Sequence, residues 1–181
     1  MKLKLSLLPL IFTIGSFSTF SADNEKNIIE KKVMDWMHVE VKSVKGIAIR
    51  HVFSCSFYSA TPVLKHRDGE SSFGDHKFYS LNGQLEELIT PTSTQVMPDV
   101  SECLKSDFRL NTQEDAEYLL EALDTLFASG SHFDQGVEKK AIKDKDSWKL
   151  ITGEFFDDLS GYKVVTDEKG KIKKIEYVLG L

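Results

Sequence analysis

Cysteine is scarce here: Cys55 and Cys103 are the whole complement of a chain of 181 residues. That excludes a disulfide-dense miniature scaffold, and the wide spacing fits neither a C-x-x-C redox pair nor a zinc-ligand pattern. No low-complexity tract or strict repeat is present. Long apolar runs are missing as well. The longest, Leu5 to Thr19, is short of the roughly 20 residues a membrane-spanning helix needs. An excess of basic charge is absent, with 23 Lys and Arg against 28 Asp and Glu and a net charge of −5. A nucleic-acid or anionic-membrane surface is therefore not expected as the main partner. The motifs of common chemistries are missing too. There is no Gly-x-Ser-x-Gly elbow, no His-Glu-x-x-His, no EF-hand loop and no phosphate-cradling Gly loop.

What is present begins at the N-terminus. Lys2 and Lys4 precede the Leu5–Thr19 run, and the small residues Ser18, Ser21 and Ala22 lead into the charged Asp23-Asn24-Glu25. This is the layout of a secretory signal peptide, with cleavage after Ala22 despite the bulky Phe20. No Cys ends the apolar run, so a lipoprotein attachment is not expected. The predicted division is a signal peptide over 1–22 and a single α+β domain over 23–181, exported to a periplasm or secreted. Loss of Lys2 and Lys4 from the 23 basic residues leaves 21 against 28 acidic, or −7. Such a body suits a basic protein partner or a cationic ligand. In an oxidising compartment the two cysteines are expected to form one disulfide.

The stretch Trp148 to Leu181 reads as an antiparallel meander. Trp148, Leu150 and Thr152 alternate with Lys149, Ile151 and Gly153. Leu159-Ser160-Gly161 reads as a turn, as does Asp167–Gly170, and the last run sets Ile175, Tyr177 and Leu179 on one face. A sheet with one apolar face needs a cover, and the helix expected over Gln113–Phe127 offers one. Its stripe is Ala116, Leu119, Leu120, Leu123, Leu126 and Phe127. Thr112 to Asp115 stands where a capping box belongs, with Asp in place of Glu or Gln. Ser129-Gly130 reads as its stop.

Upstream, a helix is expected from Asn24 to about His38, capped by Asp23 or Asn24, with Ile29, Val33, Trp36 and Met37 as its apolar stripe. The β-branched Val39, Val41 and Val44 favour a short strand after it. Gly46 to Tyr58 alternates as one long strand that points His51 and Cys55 inward, and Pro62 is expected to end the run. Lys65 to Asp75 reads as an exposed loop. Lys77–Ile89 reads as a hairpin turned at Asn82-Gly83. Thr90 to Lys105 is expected to hold little regular structure, and one more strand is expected at Val137–Ile142. Each half of the chain runs helix then strands, without residue-by-residue similarity. The fold class is therefore α+β, an antiparallel sheet covered by two helices, compatible in outline with cystatin-like or NTF2-like architectures. That analogy says nothing about activity.

Three places offer chemistry. His51, on an apolar strand face, is either a tuned acid/base group or a satisfied core residue. His66, Asp68, Asp75 and His76 could gather as a ligand loop, although their spacing matches no metal pattern, and no metal or cofactor is predicted. Asp157 and Asp158, beside Phe155-Phe156, could grip a cationic group with His51 in a pocket. Adjacent acids on a strand, such as Glu86-Glu87, point to opposite faces and do not converge. The leading expectation is a non-enzymatic binding protein, in one version an inhibitor or immunity-type protein for a basic partner. The alternative is a small hydrolase or isomerase that uses His51 and a carboxylate in a sheet–helix pocket.

Overall fold

The structure, a computed structural model, describes residues 17–49, 51–72, 74–127, 138–155 and 158–181. Within these residues the architecture is α+β and antiparallel, but the strands divide into two sheets instead of one. The first is built from β1 (Glu40–Ile47), β2 (Ser56–His66), β3 (Gly69–Ser72), β4 (His76–Leu81) and β5 (Gln84–Leu88). Its order is β1-β2-β4-β5, with β3 paired to the far end of β2. The second joins β6 (Gln95–Val96), β7 (Lys140–Asp144), β8 (Ser147–Phe155), β9 (Asp158–Thr166) and β10 (Ile172–Leu179), in the order β6-β10-β9-β8-β7.

Each sheet is entered from a helix and then laid down as a meander. Helix α1 (Phe17–Met37) packs over β1 and β2, and helix α3 (Gln113–Phe127) packs over β7 and β8. The helix-then-strands echo in the sequence is thus a repeat of topology. Below α1, Ile29 and Val33 bury against Tyr58, Ala60, Phe78 and Leu85. The opposite face of the same sheet turns Phe57, Tyr79 and Leu88 into a larger cluster. That cluster runs through the stripe of α3 to Trp148, Leu150, Tyr162, Val164 and Ile175. The layers therefore run α1, first sheet, α3, second sheet. Lys77 crosses one boundary by donating to the Thr125 carbonyl at 3.0 Å.

Local signals behave as their chemistry dictates. Asn82 (φ 52°) and Gly83 (φ 80°) supply the positive φ pair between β4 and β5. At the start of α3 the Asp115 amide donates to Thr112 Oγ1 at 3.1 Å, and Asp115 Oδ2 accepts from the Thr112 amide at 2.9 Å, which completes the capping box.

Several expectations are corrected. The long strand over Gly46–Tyr58 does not form: β1 stops at Ile47 and β2 starts at Ser56. Alternation continues through the break because Val52, Phe53 and Cys55 are core residues despite their irregular backbone. Pro62 lies inside β2, opposite Val41, where a register shift between Val41 and Ser43 makes room for a residue without an N–H. Asp23 and Asn24 fall within α1 and do not cap its start. Lys65–Asp75 is largely a hairpin of β2 with β3. The segment Thr90–Lys105 contains β6 and a short helix α2 (Pro98–Cys103). Leu159, Ser160 and Gly161 belong to β9, paired with β8, and are not a turn. The strand predicted at Val137–Ile142 is β7, and Val137 lies outside the described residues, as do Ser129 and Gly130.

Candidate functional site

The disulfide is formed, with the Cα atoms of Cys55 and Cys103 5.2 Å apart. Around it two irregular segments, 51–55 and 103–111, are tied together. The Ser54 amide donates to the Cys103 carbonyl at 2.8 Å and the Lys105 amide to the Val52 carbonyl at 3.0 Å. Phe53 and Leu104 form an isolated bridge. A turn docks onto the far end of this platform. The Leu110 amide donates to the Gly170 carbonyl at 2.8 Å. Gly170 has φ 74°, a backbone conformation that side chains rarely adopt, and a β-carbon there would also displace the Asn111 side chain. Loops pinned in this way can hold side chains in fixed positions at the surface.

On this platform lies a cleft of about 370 Å³. His51, Lys105 and Arg109 supply its basic side chains, Asp107 and Asp115 its carboxylates, and Phe108 and Asn111 the rest of its lining. His51 is exposed and not turned into the core, because the strand that would have directed it inward is absent. Its ring stacks on Tyr118 with centroids 6.1 Å apart and an interplanar angle of 21°. The Tyr118 hydroxyl in turn donates to Glu114 Oε1 at 3.0 Å, and that bond holds it above its usual pKa. Asp115 is occupied by the cap. It accepts from the amides of Asn111 (3.1 Å) and Thr112 (2.9 Å) and from Thr112 Oγ1 (2.8 Å). Burial raises its pKa, but these hydrogen bonds outweigh it and hold the carboxyl below the usual range.

The other predicted site residues do not join this cleft. Asp157 lies outside the described residues, and Asp158 is placed only as the first residue of β9, paired with Phe155. His66 and His76 are separated along β2: His66 is its last residue, whereas His76 pairs with Ala60. Six strand residues put them about 20 Å apart. His66 Nε2 hydrogen-bonds Ser71 Oγ at 2.7 Å, and Asp68 sits exposed in the β2–β3 turn. Asp75 accepts from Ser59 Oγ at 2.7 Å and Thr61 Oγ1 at 2.8 Å. Among the described residues no group of three or more His, Cys, Asp or Glu gathers as a metal ion would require.

A second feature sits at the C-terminal end of α1. Trp36 turns outward with 63 % of its surface exposed, while Ile29 and Val33 of the same stripe are buried. Its ring meets His76 edge-on at 5.2 Å, and His76 Nδ1 lies 2.9 Å from Glu87 Oε1. Ile89, just past β5, is 72 % exposed. Two neighbouring cations are engaged by backbone: Lys32 donates to the Leu85 carbonyl at 2.7 Å and Lys77 to Thr125. Burial pushes the Lys77 ammonium below its usual pKa. Asp35, which precedes the tryptophan in the chain, and Glu87, which is paired with His76, are both exposed.

No protein-family model, curated protein or solved structure matches this chain.

The geometry of these two places therefore stands alone. Periodicity had put Trp36 in the core, because a stripe shows which face of a helix is apolar but not where the underlying sheet ends. Lys105, Arg109 and Tyr118 carried no motif; the disulfide and the start of α3 bring them beside His51.

Proposed function

We propose that this is an exported, non-enzymatic binding protein that grips a basic protein partner through the corner formed by α1, β4 and β5. The observation that carries the reading is Trp36, an indole left mostly in solvent and set edge-on to His76, which is itself paired with Glu87. Exposed Trp is rare on a surface with no role and frequent at the energetic centre of interfaces. An aromatic face beside Asp35 and Glu87 suits an Arg or Lys side chain, through cation–π attraction and charge pairing. The acidic balance of the chain supports the same sign of partner, and the Cys55–Cys103 disulfide supports export. No described helix is long and apolar enough to cross a membrane.

The enzymatic alternative has one observation behind it, His51 on the rim of an open cleft. Among the described residues neither ring nitrogen of His51 is hydrogen-bonded to a carboxylate, and Asp115 is committed to its helix cap. The oriented acid–base pair that catalysis would need is not assembled, so binding is the better-supported reading.

Trp148 is buried and Trp36 is not, so intrinsic fluorescence reports on the corner. Titration with an arginine-rich peptide should change the Trp36 emission saturably, more strongly at low salt, and Trp36→Ala should abolish the change. An acidic peptide should give none. No response to any cationic peptide, or an equal response in Trp36→Ala, would remove the proposal.

A further inference from the structure

The cleft beside the disulfide contains polar groups that the fold leaves unused. His51 is held by stacking on Tyr118, which fixes the plane of the imidazole without engaging either nitrogen. Among the described residues its ring nitrogens have no hydrogen-bond partner, and the side chains of Lys105 and Asp107 have none either. Arg109 is anchored on one side only, its Nη1 donating to the carbonyls of Ser106 and Phe108 at 2.8 Å each. The remaining guanidinium donors make no hydrogen bond among the described residues, although the Asp167 carboxylate is near enough to feel the Arg109 charge. The two amides at the start of α3 are already taken by Asp115, so helix-end polarity is not what makes the cleft attractive.

We infer that this cleft binds a small organic anion, its carboxylate or phosphate group held by Lys105 and Arg109 and hydrogen-bonded by His51. Three lines of evidence converge. The groups left open to a ligand are mostly donors: Lys105 and His51 have no side-chain partner among the described residues and Arg109 uses only Nη1, whereas Asp115 Oδ2 is committed to three hydrogen bonds within its cap. The volume of about 370 Å³ suits a metabolite-sized molecule and not a polymer. The walls are rigid, because the disulfide and the paired amides of Ser54 and Lys105 fix both segments, so little ordering entropy is lost on binding. Phe108 gives the ligand an apolar surface to lie on, and Asp107 can accept from a hydroxyl or ammonium elsewhere on it. The site is independent of the Trp36 corner, and its ligand has the opposite charge.

The test is a titration of the full chain, isotopically labelled, followed by amide chemical shifts. Acetate and benzoate supply the carboxylate arm; inorganic phosphate and phenyl phosphate supply the phosphate arm. Chloride at equal ionic strength is the control. Saturable shifts confined to residues 51–55 and 105–118, with one arm tighter than the other, are expected and name the anion class. Lys105→Gln should weaken that binding by roughly tenfold, as loss of a charge-assisted hydrogen bond does. Arg109→Gln should do the same. Lys105 makes no structural side-chain bond, so its variant stays informative if the Arg109 variant misfolds. Trp36→Ala should leave the affinity unchanged. Shifts no larger than those given by chloride, or equal affinity in Lys105→Gln, would overturn the inference.

Discussion

A β-carbon on Gly161 would lie 2.0 Å from the carbonyl oxygen of Leu150, backbone against backbone, with no flexible side chain to yield. Gly161→Ala should therefore destabilise the second sheet by about 2–4 kcal/mol, read from a thermal or denaturant melt. A change within error would show that β8 and β9 are not this close. At the start of α3, Thr112→Ala removes the acceptor for the Asp115 amide and should lower stability by about 1 kcal/mol. The Asp115 carboxyl is held below its ordinary pKa, so its contribution is complete above the unfolded-state value and is lost as pH falls through the folded one. Asp167 shifts in the same direction, chiefly through the hydrogen bond from the Lys171 amide. Acid unfolding of Asp115→Asn should consequently be less steep than that of the native chain below about pH 4, the ordinary carboxylate value. Identical acid profiles would contradict the cap geometry.

At the scale of elements, α1 is fastened to the first sheet by polar groups as well as by its apolar stripe. Glu25 accepts a hydrogen bond from the Tyr58 hydroxyl and another from Ser80 Oγ at 2.7 Å. Burial, and then the Glu25 carboxylate, push the Tyr58 hydroxyl up to about 12. Glu25→Ala leaves two half-buried hydroxyls without an acceptor and should cost about 1–3 kcal/mol, with faster hydrogen exchange along α1 than along α3. Uniform exchange would show that α1 is held otherwise. The elements most legible in the sequence were those whose cause is local: the Asn82-Gly83 hairpin, the Thr112–Asp115 box, the stripe of α3 and the strands of the C-terminal meander. Those misread depend on distant partners. Pro62 is tolerated in β2 only because β1 shifts register beside it, and Gly161 marks a neighbour's approach and not a turn. His51 was directed inward by a strand pattern that Val52, Phe53 and Cys55 maintain for packing reasons of their own. The candidate site was legible only at His51 and the cystine, since Lys105, Arg109 and Tyr118 reach it through tertiary contacts.

At the scale of the whole molecule, two helix-on-meander units share one core, and the disulfide pins the segment that follows β1 to the end of α2. Closing that loop constrains the unfolded chain by about 4 kcal/mol, so reduction or the Cys55→Ser/Cys103→Ser pair should lower stability by up to that amount. The same change should loosen the cleft more than the Trp36 corner, because the cystine joins the two segments on which the cleft lies. Charge is distributed unevenly in this architecture. At the corner Lys32 and Lys77 are tied to backbone carbonyls while Asp35 and Glu87 are exposed, whereas in the cleft Lys105 has no side-chain partner among the described residues and Arg109 uses only Nη1. The most direct test of the central claim is to map where a basic ligand touches the chain, by amide chemical shifts of the labelled protein titrated with an arginine-rich peptide. Saturable shifts grouped at residues 35–37, 76–77 and 87–89, and lost in Trp36→Ala, are expected. Shifts scattered over the acidic surface, or grouped elsewhere, would contradict it.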